Sequence, residues 1–308
     1  MVFADTYLQP NAPDPVLSEA AVVAAAAKHA LDVGRLLEVD ESGGEARAYM
    51  LEGGLVLKTQ RPHRLRPRTS LAKEALFLQE LERTGDFLVP KVLGYGHVEG
   101  IEYLCLSRMP GIASRHVQLD PAHRSEMLQT LGALLRAIHD IEQSQLRTSG
   151  LIPGDDSPSD LRQRFSDAFS RLADTLEADE TWRGDVDIRQ VAQQEIDLLP
   201  SGTEPVALHS NPGPEHVFVD PDTGQFTGII DFGDAYRSHP ALDLRPWRQP
   251  TDVVDVLTGY RASGPLPTGF EQVVTTGLIM AELGQVTRGR QDPQSAAIRV
   301  QELRRSSK

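Results

Sequence analysis

Hydrophobic positions in the first third of the chain alternate with polar ones along several short segments. Five such segments, bounded by glycine-containing turns or polar residues, are predicted β-strands: 36–40, 46–51, 55–59, 89–95 and 101–106. An alanine-rich segment, 19–31, predicts a helix before the first strand. A second helix is predicted at 70–83, where leucine and alanine recur at helical spacing and Ser70 is the expected N-cap. This part of the chain is therefore expected to form a sheet with helices beside it.

Helical spacing dominates the rest of the chain. Residues 122–141 carry an apolar face, and similar patterns return at 160–178 and 188–199 after a loop rich in Gly, Pro and Asp. The exception is a pair of short apolar runs, 217–219 and 226–230, which flank the turn sequence Pro-Asp-Thr-Gly. These runs predict a β-hairpin. The whole pattern predicts an α+β protein with a strand-rich beginning.

Charge and cysteine content narrow the classes of function. The formal net charge of −13 argues against nucleic-acid binding, because lysine and arginine supply the contacts to a phosphate backbone. An acidic surface favours a cationic small-molecule partner, although its simplest effect is solubility. A single cysteine, Cys105, leaves no internal disulfide. The sequence shows no secretion signal and no membrane-spanning run, so the expected location is the cytoplasm. It predicts no particular oligomeric state.

Polar residues with ligand chemistry cluster at both ends of the predicted hairpin. His209, Asn211 and His216 precede its first strand, and Asp231 follows its second strand. The two open ends of a hairpin lie side by side, so we expect these four side chains to lie close together. Such a cluster predicts a functional site.

The segment 208–244 resembles the aminoglycoside phosphotransferase and choline kinase-like family, which are relatives of protein kinases. The family's catalytic loop has the pattern His-x-Asp-x-x-x-x-Asn, and this chain has His209 to His216 in its place. The family's metal-binding Asp follows Ile and precedes Phe or Trp and then Gly, as Asp231 does here. A third stretch, His-Pro-Ala-Leu-Asp-Leu at 239–244, resembles the family's Asp-Pro-Ala-x-Asp-Leu.

The resemblance implies a fold, a domain division and a set of ligands. The implied fold is an α+β, protein-kinase-like bilobal fold. Its N-terminal nucleotide-binding lobe, 1–108, would hold an antiparallel sheet plus a helix, and its C-terminal catalytic and substrate-binding lobe, 109–308, would be mainly helical. The implied cofactors are ATP or GTP together with Mg²⁺.

The resemblance also implies roles for single residues. A carboxylate must hold Mg²⁺ against the nucleotide phosphates, and Asp231 takes that place. Lys58, an isolated lysine after three apolar strand residues, fits the cation that contacts the phosphates. Glu74 is its expected partner in preference to Glu80, which the helical period turns elsewhere. Asp243 is expected to be a structural acceptor that holds the catalytic loop.

Weaker assignments complete the nucleotide site. Gly43 and Gly44 lie where the family has its phosphate-covering turn, although an ordinary hairpin turn explains them equally well. The resemblance places the adenine against the connection between Ser107 and Met109, whose backbone would bind the base. The arginine-rich stretch 61–68 is better explained as a solvated loop than as a clamp for an anionic ligand.

Two positions depart from the family pattern. Asn211 replaces the catalytic Asp that accepts the proton of the substrate hydroxyl, and the loss of a positioned base costs on the order of 10²–10⁴ in rate. His216 replaces the Asn metal ligand; an imidazole can bind a metal, but it is softer than the oxygen donors that Mg²⁺ prefers. His209 is expected to support the loop and not to act as a base. Four explanations of Asn211 remain open: Glu215 or Asp234 replaces the base, the protein binds nucleotide without transfer, Asn211 was introduced to trap an inactive form, or the loop is offset in space.

We therefore expect an ATP- or GTP-dependent phosphotransferase that acts on a hydroxyl of a small molecule, with aminoglycoside and macrolide antibiotics as candidate acceptors. The alternative is a nucleotide-binding pseudokinase. The sequence has no zinc-ligand pattern, no serine nucleophile elbow and no dinucleotide-binding glycine fingerprint to support another class of enzyme.

Overall fold

Strands occupy mainly the first part of the chain and helices mainly the rest. The computed structural model describes residues 7–29, 32–67, 69–155, 157–178, 182, 186–202 and 204–306. The helices within these residues are α1 Glu19–Ala27, α2 Leu71–Thr84, α3 Pro121–His139, α4 Ser144–Thr148, α5 Pro158–Ala178, α6 Ile188–Asp197, α7 Pro250–Arg261, α8 Phe270–Thr287 and α9 Pro293–Ser306. The strands are β1 Leu36–Asp40, β2 Ala46–Leu51, β3 Leu55–Gln60, β4 Val92–Val98, β5 Ile101–Ser107, β6 Ile112–Ala113, β7 Val206–Leu208, β8 Val217–Val219, β9 Phe226–Ile229 and β10 Tyr236–Ser238.

The N-terminal sheet is antiparallel and has the strand order β1-β2-β3-β5-β4. Successive side chains of a strand point to opposite faces. Leu57 and Cys105 accordingly pack in one core cluster with residues of α1, whereas Leu104 and Leu106 pack in another with residues of α2. Lys58 pairs in register with Leu104. The strand period therefore turns Lys58 toward α2, which determines where its ammonium group can reach.

Two small sheets bring the predicted catalytic segments together. The β8–β9 hairpin takes β6 as a third strand, and β7 pairs with β10. The described part of β7 ends at Leu208, directly before His209, and β9 ends at Ile229, two residues before Asp231. The hydrogen bond from Ile230 N to His216 O, 3.0 Å long, closes the open end of the hairpin. The loop after β7 and the segment after β9 are thus neighbours.

Helices α3 and α7 cross with their backbones in contact. A Cβ atom added to Gly132 in α3 would lie 2.0 Å from Val256 O, and one added to Gly259 in α7 would lie 1.8 Å from Gln129 O. No side chain fits at either position. The crossing brings the C-terminal end of α3, with His139, beside Tyr260 of α7, because glycine lets the two axes approach this closely.

The predicted elements agree with the structure apart from their ends. No bounds were predicted for the short strands β6, β7 and β10 or for the helices α4, α7, α8 and α9. The first helix ends at Ala27, and residues 30 and 31 of its predicted range lie outside the described residues. Strand β4 runs over Val92–Val98 instead of 89–95, because the chain before it turns through a hydrogen bond from Val89 N to Phe87 O and Pro90 has no N–H to donate. No helix in the described ranges is long and apolar enough to cross a membrane.

Candidate functional site

Lys58 lies at the centre of a cluster of charged side chains. Its Nζ atom is 2.7 Å from Glu74 Oε2 in α2 and 2.8 Å from Asp231 Oδ1 after β9. The Glu74 side chain is 1% exposed, whereas the Asp231 side chain is 40% exposed. Asp231 is therefore the carboxylate of the cluster that a ligand can reach, and Glu74 holds the ammonium group from behind.

The three charges shift one another's pKa values. Burial opposes the charged form of Lys58, but the carboxylates of Asp231 and Glu74 raise its pKa above the ordinary value. Burial also opposes the charged form of Asp231, yet Lys58 and His216 bring its pKa well below the ordinary value. For Glu74, burial raises the pKa, and the nearby Asp231 adds to this rise while Lys58 opposes it. Lys58 is thus cationic and Asp231 anionic at neutral pH.

The two glutamates of α2 have different surroundings, as the helical period predicts. Glu74 lies in the first turn of the helix, directly after the Ser70 N-cap, whose Oγ accepts a hydrogen bond from Lys73 N at 3.4 Å. Glu80 is buried and pairs with Arg83 at 2.7 Å. The structure therefore places Glu74, and not Glu80, at the ammonium group of Lys58.

Asp243 holds the loop that follows β7. Its buried carboxylate accepts hydrogen bonds from the backbone N–H groups of His209, at 2.9 Å, and Ser210, at 2.7 Å. His139 Nε2 lies 3.1 Å from the same carboxylate, and His139 Nδ1 lies 2.9 Å from Tyr260 Oη. With the Tyr260 hydroxyl donating to Nδ1, the His139 proton is on Nε2 and points to Asp243. Two backbone donors of the loop and one side chain from α3 thus converge on Asp243 and fix the loop.

His209 supports the loop from inside. Its side chain is completely buried, with Nε2 donating to Ile230 O at 2.9 Å and Nδ1 accepting from Asn211 N at 3.3 Å. Burial lowers the pKa of His209, so the ring is neutral. The ring centroid lies 4.5 Å from that of Phe232. Since both nitrogens bind backbone groups, the ring is occupied in positioning the chain.

Two residues of the site have a left-handed backbone. Ser210 has φ of 79° and Asp231 has φ of 73°. A residue other than glycine held in such a conformation costs about 1–3 kcal/mol, and it persists where the surroundings over-determine it. At Ser210 the bond to Asp243 supplies that restraint, and at Asp231 the bond to Lys58 does so. Both strained residues lie where polar side chains converge.

His216 and Asp231 together suit a divalent cation. His216 Nδ1 lies 2.8 Å from the carbonyl oxygen of Asn211, so it carries the proton and donates. His216 Nε2 lies 3.3 Å from Asp231 Oδ2; it donates to that carboxylate when the ring is protonated and is an acceptor when the ring is neutral. Two acceptors at this distance require a proton or a cation between them.

The candidate donors for a divalent cation are few. The described residues include no group of three or more His, Cys, Asp or Glu side chains that could hold a metal by themselves. Mg²⁺ is commonly held by one or two carboxylates together with substrate phosphates and waters. Asp231, with His216 beside it, fits such a site.

Asn211 has a carboxylate close to its side chain. A Cβ atom placed on Gly213 would lie 3.5 Å from Asn211 Oδ1 and 3.3 Å from Glu215 Oε2. The side-chain oxygens of Glu215 and Asn211 therefore both lie near Gly213. The Glu215 side chain is 52% exposed, and its nearest basic group among the described residues is Arg115, at 4.0 Å.

The carboxylate of Asp234 contacts Thr69 and Arg66. Its Oδ1 accepts a hydrogen bond from Thr69 Oγ1 at 2.5 Å, and its Oδ2 lies 4.0 Å from Arg66 Nη2. Both carboxylate oxygens thus face the segment before α2. Of the two carboxylates considered as substitutes for the missing Asp, Glu215 is the one beside Asn211.

The remaining sequence assignments lie in the N-terminal sheet and directly after it. Gly43 and Gly44 lie in the turn between β1 and β2, and neither has a positive φ, so the backbone conformation itself does not require glycine. Ser107 ends β5, and the next residue, Arg108, donates its N–H to Gly54 O at 2.7 Å. Met109 packs against β9, where its Cε would lie 2.2 Å from a Cβ added to Gly228.

Sequence reasoning missed several polar residues that complete the site. They are His139 and Tyr260, which hold Asp243, and Arg66 and Thr69, which contact Asp234. His139 gave no distinctive signal, because basic residues are common in the last turn of a helix. The other three depend on contacts between segments far apart in the sequence, which spacing does not reveal.

Comparison with known proteins agrees with this geometry. The sequence model of the phosphotransferase enzyme family (APH) matches residues 36–259. An aminoglycoside 3'-phosphotransferase of Streptomyces fradiae is 27% identical over 211 residues, which cover 63% of this chain and 72% of the relative. The apoenzyme of macrolide 2'-phosphotransferase MphH from Brachybacterium faecium superimposes with a TM-score of 0.64 at 20% identity, covering 91% of this chain and 97% of that one. The streptomycin–ATP complex of APH(2")-IIa superimposes with a TM-score of 0.61 at 14% identity, covering 88% and 91%. The chain has the kinase-like bilobal fold predicted from the sequence and belongs to the phosphotransferase enzyme family.

Proposed function

We propose that this protein transfers the terminal phosphoryl group of ATP or GTP to a hydroxyl group of a small molecule. The observation that carries the proposal is the position of Lys58, which contacts Glu74 in α2 and Asp231 after β9 at once. Phosphoryl transfer depends mainly on positioning and on neutralising charge, and this cluster supplies a fixed cation beside a reachable carboxylate.

Each nucleotide contact has a candidate residue. Lys58 would bind the phosphates, and Asp231 with His216 would hold Mg²⁺, which neutralises charge on the phosphate oxygens when it is bound. The glycine turn, with Gly43 and Gly44, would lie over the phosphates. Met109, whose backbone N–H makes no hydrogen bond to any described residue, is the candidate contact for the base.

Glu215 is the candidate base for the acceptor hydroxyl. The amide of Asn211 cannot take up a proton at neutral pH, but it can orient the hydroxyl through its oxygen. The carboxylate of Glu215 lies near the same Gly213 as the Asn211 amide and is half exposed, so it can approach an acceptor. We propose that Asn211 positions the hydroxyl and Glu215 accepts its proton.

The acceptor is proposed to be a cationic antibiotic. The related proteins include enzymes named for aminoglycosides and for macrolides. The net charge of −13 favours a positively charged acceptor over an anionic one. Both antibiotic classes therefore form the first panel of acceptors to test.

A second candidate function is nucleotide binding without transfer. One observation favours it: the residue at the position of the catalytic Asp is Asn211, whose side chain is exposed and cannot serve as a base. This candidate shares the nucleotide site and differs only in the chemical step, so the same set of variants separates the two.

Calorimetric titration with MgATP and MgGTP comes first, on the wild type and on Asp231→Ala. Asp222→Ala, an exposed aspartate in the turn of the same hairpin, is the matched control. We expect metal-dependent binding that Asp231→Ala loses and Asp222→Ala keeps. If the wild type binds neither nucleotide, the proposed function is wrong.

Turnover with the antibiotic panel then tests the chemistry. If Glu215 is the base, Glu215→Gln should lower the rate by a factor on the order of 10²–10⁴. Asn211→Asp tests whether a carboxylate at the family position increases the rate. Nucleotide binding with no turnover in the wild type, together with turnover in Asn211→Asp, would support the second candidate instead.

A further inference from the structure

Arg66 lies between the glycine turn and the metal-binding segment. Its Nη2 atom forms an ion pair with Glu45 Oε1, at the end of the turn, and lies 4.0 Å from Asp234 Oδ2. The same nitrogen would be 3.9 Å from a Cβ atom added to Gly44. Asp234 follows Asp231 by only three residues. Arg66 thus spans the opening between the two elements that the proposed function places around the phosphates.

The balance of charge at this opening is negative. Glu74 and Asp231 neutralise Lys58, and Glu45 and Asp234 surround Arg66. Among the described residues, this group has four carboxylates and two cationic side chains. A nucleotide polyphosphate adds further negative charge, so it requires a divalent cation and a cationic side chain that is not fully used by its carboxylates.

Arg66 has hydrogen-bonding capacity left over. The guanidinium group has five N–H donors, and its Nε is buried without a hydrogen-bond partner among the described residues. Its side chain is 27% exposed, so part of the group faces solvent. Arginine suits phosphate oxygens because its planar group can donate two parallel hydrogen bonds. The neighbouring Glu45 and Asp234 hold this group near Gly44.

We infer that Arg66 binds the outer phosphates of the nucleotide and that Glu45 and Asp234 hold its guanidinium group ready for them. The inference rests on the proposed function, since it requires a nucleotide in this cleft. It goes further by adding a phosphate ligand from the segment 61–68, which the sequence indicated to be a solvated loop.

A structural role would also explain the contacts of Arg66, so the test must separate the two. In that case Arg66 would only tie the glycine turn to Asp234, and its loss would act through the local charge or through the shape of the turn. A variant that removes one positive and one negative charge together, Arg66→Gln with Glu45→Gln, keeps the net charge of the opening unchanged. Arg64→Gln is the matched control, because the Arg64 side chain makes no ion pair with any described residue.

Calorimetric titrations with MgATP, MgADP and AMP are made on the full chain and on these variants. We expect Arg66→Gln to weaken MgATP binding by roughly 10- to 100-fold, the loss of a charge-assisted hydrogen bond. AMP binding should change by less than about threefold, since AMP has no outer phosphates. The charge-balanced double variant should be as weak for MgATP as Arg66→Gln, and Arg64→Gln should match the wild type.

Three results would overturn the inference while leaving the proposed function intact: unchanged MgATP binding in Arg66→Gln, recovery of wild-type affinity in the double variant, or a parallel loss for AMP. The first would show that Arg66 contacts no phosphate, the second that only net charge matters, and the third that the turn itself has changed. If the wild type binds neither MgATP nor MgGTP, the proposed function and this inference fall together.

Discussion

Removing the Asp243 carboxylate should release the loop that carries His209 and Asn211. The substitution Asp243→Ala leaves the buried N–H group of His209, the partly buried N–H group of Ser210 and the Nε2–H group of His139 without an acceptor. An unsatisfied buried donor costs about 1–3 kcal/mol, and breaking a buried charged interaction costs about 3–5 kcal/mol. Because the loop can relax toward water once it is released, we expect a loss of about 4 kcal/mol in the free energy of unfolding.

Urea denaturation followed by tryptophan fluorescence measures this loss. Trp247 is a local reporter, since its buried indole donates to Pro212 O at 2.9 Å and so contacts the loop directly. The control is Asp255→Ala, which removes a partly buried carboxylate that accepts a hydrogen bond from Ser125 at 2.8 Å. The control should cost less than about 1 kcal/mol.

A second substitution tests whether Asp243 holds Ser210 in its left-handed conformation. Ser210 is held at φ of 79° by its bond to Asp243. Glycine adopts this conformation without strain, so Ser210→Gly alone should gain about 1 kcal/mol while Asp243 holds the loop, and it should gain nothing in the Asp243→Ala background, where the loop is released. If Asp243→Ala destabilises the protein no more than Asp255→Ala does, Asp243 does not hold the loop and the reasoning is wrong.

Three further predictions concern single side chains. Lys58→Met should weaken MgATP binding by about tenfold or more in calorimetry, because two carboxylates then face the phosphates without a counter-charge. Lys28→Met, at an exposed lysine, is its control. An unchanged affinity in Lys58→Met would contradict the proposed site. Burial lowers the pKa of His239 to about 4 from 6.5. As the pH falls, the unfolded chain therefore takes up this proton before the native state does. The free energy of unfolding should fall by about 3 kcal/mol between pH 6.5 and 4. The urea midpoint of His239→Gln should lack this part of the pH dependence, and identical profiles for variant and wild type would refute it. Burial raises the pKa of the Cys105 thiol to about 12, so a thiol reagent at pH 8 should modify it only after unfolding; rapid reaction of the native protein would contradict the packing of the sheet.

Local patterns were enough to predict the elements that carry the site. The strand containing Lys58 follows a Gly-Gly turn, and α2 has both a capping serine and an apolar face, so the turn and the cap indicate each type of structure. The hairpin was predicted because its turn sequence separates two apolar runs. These signals lie within about a dozen residues, which is the range over which side-chain spacing reports on backbone conformation.

The short strands escaped prediction for a physical reason. Strands β6, β7 and β10 have two or three residues each, and each is stabilised by a partner distant in sequence: Ile112 pairs with Val219, and Leu208 pairs with Tyr236. Two or three residues are too few to show a period. Their strand conformation comes from tertiary pairing, which a single sequence does not display.

The polar network around the loop was only partly predictable for the same reason. The expectation that Asp243 is a structural acceptor came from the resemblance, and the structure adds the donors: the backbone of His209 and Ser210, and the side chain of His139. Arg66 was placed in a solvated loop because its neighbours in sequence are polar. Its ion pair with Glu45 joins two separate turns and becomes visible only in three dimensions.

The contact between Gly132 and Gly259 bears on how this protein can be redesigned. The two helices meet there without side chains between them, and the ends of the same helices carry His139 and Tyr260, whose hydrogen bonds lead to Asp243. A single methyl group at the crossing would push the axes apart and shift both His139, which contacts Asp243, and Tyr260, which contacts His139. The spacing of the two helix backbones therefore determines the geometry of the loop after β7. Variant libraries that aim at new acceptor substrates should keep both glycines and vary residues outside the crossing.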